Sequence, residues 1–201
     1  SEKQSMSYLE YTVKTVPTGL RKILFFNWPL AILITAIAAL GVLQLYSVAG
    51  GSFTPWASPQ IKRFILGFLL MLLVGMMPIW FWRSVSSLAY LGALGLLLFV
   101  EFFGAVGMGA KRWIDLGFMN LQPSEVMKIA LIMAIASYYD WLPLEKTSKL
   151  IWVILPAVII LLPTALVLKQ PDLGTAILLS AGGAVVMFLA GVHWAYFITM
   201  I

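Results

Sequence analysis

Long uncharged apolar runs constrain this chain more than any other feature. The hydrocarbon core of a bilayer is about 30 Å thick, and a helix needs about 20 residues to cross it. Trp28 to Ala49, Phe64 to Trp82 and Ser84 to Val100 are all uncharged, and each is close to the length of one span. Leu121 to Tyr139 is a fourth run of similar length, but it contains Glu125 and Lys128. Leu150 to Leu168 is uncharged and holds Pro156 and Pro163, which predict a kink. Leu173 to Ile201 stays uncharged over a stretch too long for one span and too short for two. It divides at Gly191 into a sixth span and a short apolar remainder. Lipid offers the backbone no hydrogen-bond partner, so such runs satisfy themselves as helices. The expected fold is all-α: a polytopic helical integral membrane protein of six spans plus the start of a seventh. An apolar element that stops at half a membrane's thickness implies the N-terminal portion of a longer protein.

Composition narrows the function. With 62% hydrophobic and 10% charged residues, neither a soluble domain nor a disordered chain fits. There is no cysteine and one histidine, His193, so thiolate metal sites and histidine-built zinc sites are excluded. A net charge of +5 scattered along the chain excludes a nucleic-acid binder and points to anionic lipid headgroups or an anionic substrate. Residues 1–27 read as a cytoplasmic tail ahead of a transmembrane domain, 28–201. That orientation places six cations inside (Lys14, Arg21, Lys22, Arg83, Lys146, Lys149) and five outside (Lys62, Arg63, Lys111, Arg112, Lys169). The outer cations suggest something anionic on that face.

Two helix starts share that outer face. Pro123 suits a first helical turn, and Glu125 then sits where the positive end of the helix dipole favours an anion. Lys128 is spaced i,i+3 from Glu125, so the two share a helix face. An unpaired charge within a membrane costs several kcal/mol or more by most estimates, so they should pair or line a wet cavity. The packing alternative is an ion pair that only fixes helix contacts. Asp172, after Gln170 and Pro171, opens the sixth span in the same style and reads equally as a helix-terminal charge or a site residue. With Lys111, Arg112 and Lys169 nearby, the two starts would form a mixed-charge vestibule. Lys62 and Arg63 read as residues that snorkel to headgroups.

Three ordered motifs carry a family resemblance: Gly109-Ala110-Lys111-Arg112-Trp113-Ile114-Asp115-Leu116-Gly117, then Gln122-Pro123-Ser124-Glu125 with Lys128, then Gln170-Pro171-Asp172-Leu173-Gly174-Thr175. With these the chain resembles the SEDS family of bacterial membrane proteins (shape, elongation, division and sporulation). Asp115 and Leu45-Tyr46-Ser47 look more like its rod-shape branch than its division branch. The resemblance implies a fold of about ten spans in the bacterial cytoplasmic (inner) membrane, with a cytoplasmic N-terminus. It implies a peptidoglycan glycosyltransferase that polymerises lipid II, the undecaprenyl-pyrophosphate-linked precursor, for cell-wall elongation and rod shape. The implied partners are a class B penicillin-binding protein and the rod-complex proteins MreC and MreD, besides membrane lipids.

Glu125, Lys128 and Asp172 match the family's site positions, while Lys111, Arg112 and Lys169 are candidates for pyrophosphate contact by charge and side. The family's essential aspartate, its expected base, lies after the seventh span, so no catalytic residue is expected within these 201 residues. The resemblance also suggests a divalent cation, Mg or Mn, although no metal-ligand cluster is visible in the sequence. Two rival functions also want these charges: a lipid II flippase, and a non-catalytic scaffold that recruits the penicillin-binding protein.

Overall fold

The computed structural model describes residues 19–103, 105–107, 110–115 and 120–199. The expected tail with Lys14 therefore lies largely outside the described residues, as do Gly109, Leu116, Gly117 and the side chain of Lys111. Two compact units are present, Ser1–Pro78 and Ile79–Ile201.

The first unit holds a 3-10 turn, Gly19–Phe25, and helices α1, Trp28–Val48, and α2, Ala57–Met76. Asn27 caps α1, its side-chain oxygen accepting from the Leu30 amide at 3.2 Å, with Pro29 in the first turn. Lys22 donates to the Met76 carbonyl at 3.0 Å, placing a cation at the negative end of α2. The second run is displaced from its expected bounds. The helix starts at Ala57, ahead of Phe64, and stops at Met76, because Pro78 forces Met77 into an extended conformation (φ −67°, ψ 142°). Arg83 is therefore not in a connecting loop. The charges Lys62 and Arg63 lie in the second turn of α2 and are exposed.

The second unit begins with α3, Ile79–Phe103, a helix of 25 residues. A three-stranded antiparallel sheet follows, β1 (Ala105–Gly107), β2 (Ala110–Asp115) and β3 (Asn120–Leu121), in that order. Ala105 pairs with Trp113 and Ile114 with Leu121. Apolar runs mark this stretch only as an outer segment, since strands this short carry little periodic signal. Then come α4 (Pro123–Trp141), α5 (Leu150–Lys169), α6 (Leu173–Leu189) and α7 (Ala195–Thr199). Gly191 (φ +97°) ends the sixth run as expected, in a conformation that suits glycine.

Periodicity explains the packing. The buried residues of α3 are Ser86, Tyr90, Ala93, Leu97 and Val100, and those of α5 include Val153, Pro156, Ile160, Pro163 and Val167. Both stripes alternate steps of three and four, the seam of left-handed helix packing. Pro156 and Pro163 fall on that seam, and α5 continues through both. Helix α4 packs against α3, α5 and α6. At Gly183 of α6 an added Cβ would stand 2.5 Å from Ile160, so close approach of α5 and α6 depends on that glycine. Successive helices reverse direction, which gathers the ends of α3 and α5, the starts of α4 and α6, and the sheet at one end. Among the described residues α1, α2, α3 and α5 are long and apolar enough to cross a membrane. Helix α6 has 17 residues, and α4 carries its charges.

Candidate functional site

The site is built at the end that holds the sheet. Gln122 precedes α4 in extended geometry and Pro123 occupies the first turn, so the helix starts as its sequence directs. Glu125 falls in that first turn, where its carboxylate meets the positive end of the helix. One turn on, Lys128 Nζ donates to Glu125 Oε1 at 2.8 Å. The expected pair therefore forms, and it is open: the Glu125 side chain is 56% exposed and that of Lys128 31%. An exposed ion pair is worth about 1 kcal/mol or less to stability, so folding alone is a weak reason for its presence. The buried residues of the same helix, Met127, Ala130, Leu131 and Ile135, supply the packing instead.

Asp172 caps α6. Its Oδ1 accepts from the Thr175 amide at 3.1 Å and its Oδ2 from the Thr175 hydroxyl at 2.8 Å. Both carboxylate oxygens are thus engaged at the positive end of the helix, a geometry that fixes the side chain over the first turn. The signal for the cap is in the sequence, since Asp immediately ahead of an apolar run marks a helix start.

Arg112 is placed less predictably. From β2 its Nε donates to the Gln170 carbonyl at 2.8 Å and a terminal nitrogen donates to the Pro171 carbonyl at 2.7 Å. Those carbonyls belong to the corner that leads into Asp172. A guanidinium has five N–H donors, and two of them hold the sheet to the corner. Gln170 is buried, and its amide nitrogen reaches the Leu97 carbonyl of α3 at 3.5 Å. Gln170 belongs to the third motif, and Gln-Pro precedes both helix starts, but nothing in its spacing foretells the contact with Leu97. Lys169 is exposed in the last turn of α5, and Lys111 belongs to β2 by its backbone.

The arrangement can grip an anion. Lys128, Arg112 and Lys169 supply positive charge, and two helix starts turn their amides toward the same end. Among the described residues no three His, Asp or Glu side chains gather as a metal ion would require.

The comparisons agree with this architecture. The family model described as "Cell cycle protein", covering FtsW, RodA and SpoVE, matches residues 22–201. The peptidoglycan glycosyltransferase MrdB of Escherichia coli K12 is 32% identical over 163 residues, 81% of this chain and 43% of that protein. The peptidoglycan glycosyltransferase RodA of Treponema pallidum is 35% identical over 83% of this chain and 39% of its own length. A probable peptidoglycan glycosyltransferase FtsW of E. coli O6:H1 is 37% identical over 68% of this chain and 33% of its own. The chain thus spans less than half the length of these curated relatives. The crystal structure of RodA from Thermus thermophilus superposes with a TM-score of 0.75 at 32% identity, covering 86% of this chain and 56% of that one. A chain from a peptidoglycan synthase complex matches with the same TM-score and identity, over 86% of this chain and 50% of its own. With its spans, motifs and fold in agreement, this multi-pass membrane chain belongs to the FtsW, RodA and SpoVE family of cell cycle proteins, the SEDS family.

Proposed function

We propose that this chain supplies part of the lipid-binding cavity of a peptidoglycan glycosyltransferase that polymerises lipid II in the bacterial cytoplasmic membrane, in the rod-shape branch of the family. In the reaction a hydroxyl of the acceptor sugar attacks the anomeric carbon of the donor, the bond from that carbon to the pyrophosphate oxygen breaks, and the lipid pyrophosphate leaves. The proton goes to a base. The leaving group gains negative charge, and fixed cations placed there stabilise the transition state more than the ground state.

The observation that carries this reading is the open Glu125–Lys128 pair at a helix start, beside a corner latched by Arg112. Glu125 orients Lys128 toward the pyrophosphate. Arg112, Lys111 and Lys169 add charge around it, and Asp172 fixes the α6 start against the same ligand. The family resemblance puts the base in another part of the enzyme. A cytoplasmic N-terminus puts this end on the outer face, where the polymer is needed. There the class B penicillin-binding protein would cross-link the product, with MreC and MreD in the same assembly.

Reconstitution of the whole enzyme with lipid II in vesicles tests the reading. Polymer formation that is lost in Glu125→Ala and Lys128→Ala, while both variants stay folded, supports it. Transfer of lipid II across the bilayer without polymer would replace it with the flippase, and partner capture without lipid II binding would replace it with the scaffold.

A further inference from the structure

At the far end of the α3–α4 pair from Glu125 there is a second charged feature that the proposed reaction does not use. Arg83 of α3 and Asp140 of α4 meet at 2.8 Å, and both side chains are more than half exposed. They stand at the edge of a groove of about 480 Å³, whose walls include Ile79 and Trp82 of α3 and Met133 and Ala136 of α4. Met133, Ala136 and Asp140 recur at steps of three and four, so one face of α4 lines the groove from its apolar floor to its charged edge. The small side chain at Ala136 leaves the room. The volume lies within the range of pockets that hold small molecules.

We propose that this groove binds one phospholipid with a zwitterionic, primary-amine headgroup, of the phosphatidylethanolamine class, an acyl chain lying between α3 and α4. The argument is charge complementarity. The edge presents one cation and one anion, with no net charge. Their closest contact is between one guanidinium nitrogen and one carboxylate oxygen. The remaining donors of Arg83 suit a phosphate, and the other oxygen of Asp140 accepts from an ammonium. Each charge also sits at the helix end that disfavours it: Arg83 near the positive start of α3, Asp140 in the last turn of α4. A phosphate laid toward α3 and an ammonium toward α4 reverses both conflicts. A purely anionic headgroup would face the Asp140 carboxylate, and a quaternary ammonium has no N–H to donate. Trp80 and Trp82 mark this end as one that meets headgroups.

Native mass spectrometry of the purified protein, titrated with phosphatidylethanolamine, phosphatidylcholine and phosphatidylglycerol of identical acyl chains, tests the proposal. The expected result is one retained phosphatidylethanolamine, preferred about tenfold over either competitor, as one charge-assisted hydrogen bond would give. Arg83→Gln should abolish the preference. Ala136→Leu, at an exposed position, should fill the groove and remove the bound lipid while leaving the ion pair and thermal unfolding as they were. Equal retention of the three lipids, no retained lipid, or a preference that survives Ala136→Leu would overturn it.

Discussion

Two ion pairs of equal length, 2.8 Å, stand at opposite ends of the α3–α4 pair, and they differ in how they are made. Glu125 and Lys128 lie one turn apart on a single helix. Arg83 and Asp140 come from different helices and meet only because α3 and α4 run antiparallel. The first pair costs the fold little, since helix geometry alone brings its members together. The second reports the packing of the two helices and measures whether they are in register. Polymerisation is therefore expected to depend on the pair that folding does not need, beside the latched corner, and lipid retention on the pair that folding creates.

The largest effect should separate the two. In the whole enzyme Glu125→Ala or Lys128→Ala is expected to lower lipid II polymerisation about 100-fold, the loss typical of removing one preorganised charge-stabilising group. Thermal unfolding should move by no more than the ~1 kcal/mol of an exposed pair. Polymer assayed on gels beside a melting curve reads both, and a large drop in melting temperature with unchanged specific activity would reverse the assignment.

Next in size is Gly183→Leu. The branched side chain would collide with Ile160, so destabilisation of about 1–3 kcal/mol, measured by unfolding in detergent, is expected from overpacking. This substitution loosens α5 from α6 without touching either pair, and so asks how far the site depends on the body beneath it. Arg112→Ala should cost about tenfold in activity, the value of a hydrogen bond to a charged group. If the latch serves to place the corner at Asp172, kcat should fall more than KM rises, and Arg112→Lys should restore only part, because a lysine cannot span the Gln170 and Pro171 carbonyls with a planar fork. The smallest effect belongs to the far end. Arg83→Gln should change unfolding free energy by under ~1 kcal/mol, and a much larger loss would show a tie that its exposure does not suggest.

Much of this protein is legible in its sequence. The apolar runs, the helix starts at Pro123 and Asp172 and the stop at Gly191 are local matters of hydropathy, capping and backbone freedom. Local signals conflict elsewhere, and there the structure departs from the sequence pattern. Charge placed the second run at Phe64 to Trp82, whereas Pro78 ends it earlier and long cationic side chains allow α2 to begin at Ala57. Pro156 and Pro163 both sit on the buried stripe of α5, a placement that hydropathy alone does not reveal.

By itself, then, the sequence determined that the chain is a set of membrane-crossing helices and that Glu125 reaches Lys128, because span length and a one-turn spacing are properties of single helices. Only the tertiary structure decided that Arg112 spends two donors on the corner before Asp172, that Gln170 reaches Leu97, and that Arg83 meets Asp140. Those contacts join residues far apart in the chain, and no spacing rule foretells them. They exist because seams on α3 and α5 and a missing side chain at Gly183 fix how the helices approach one another.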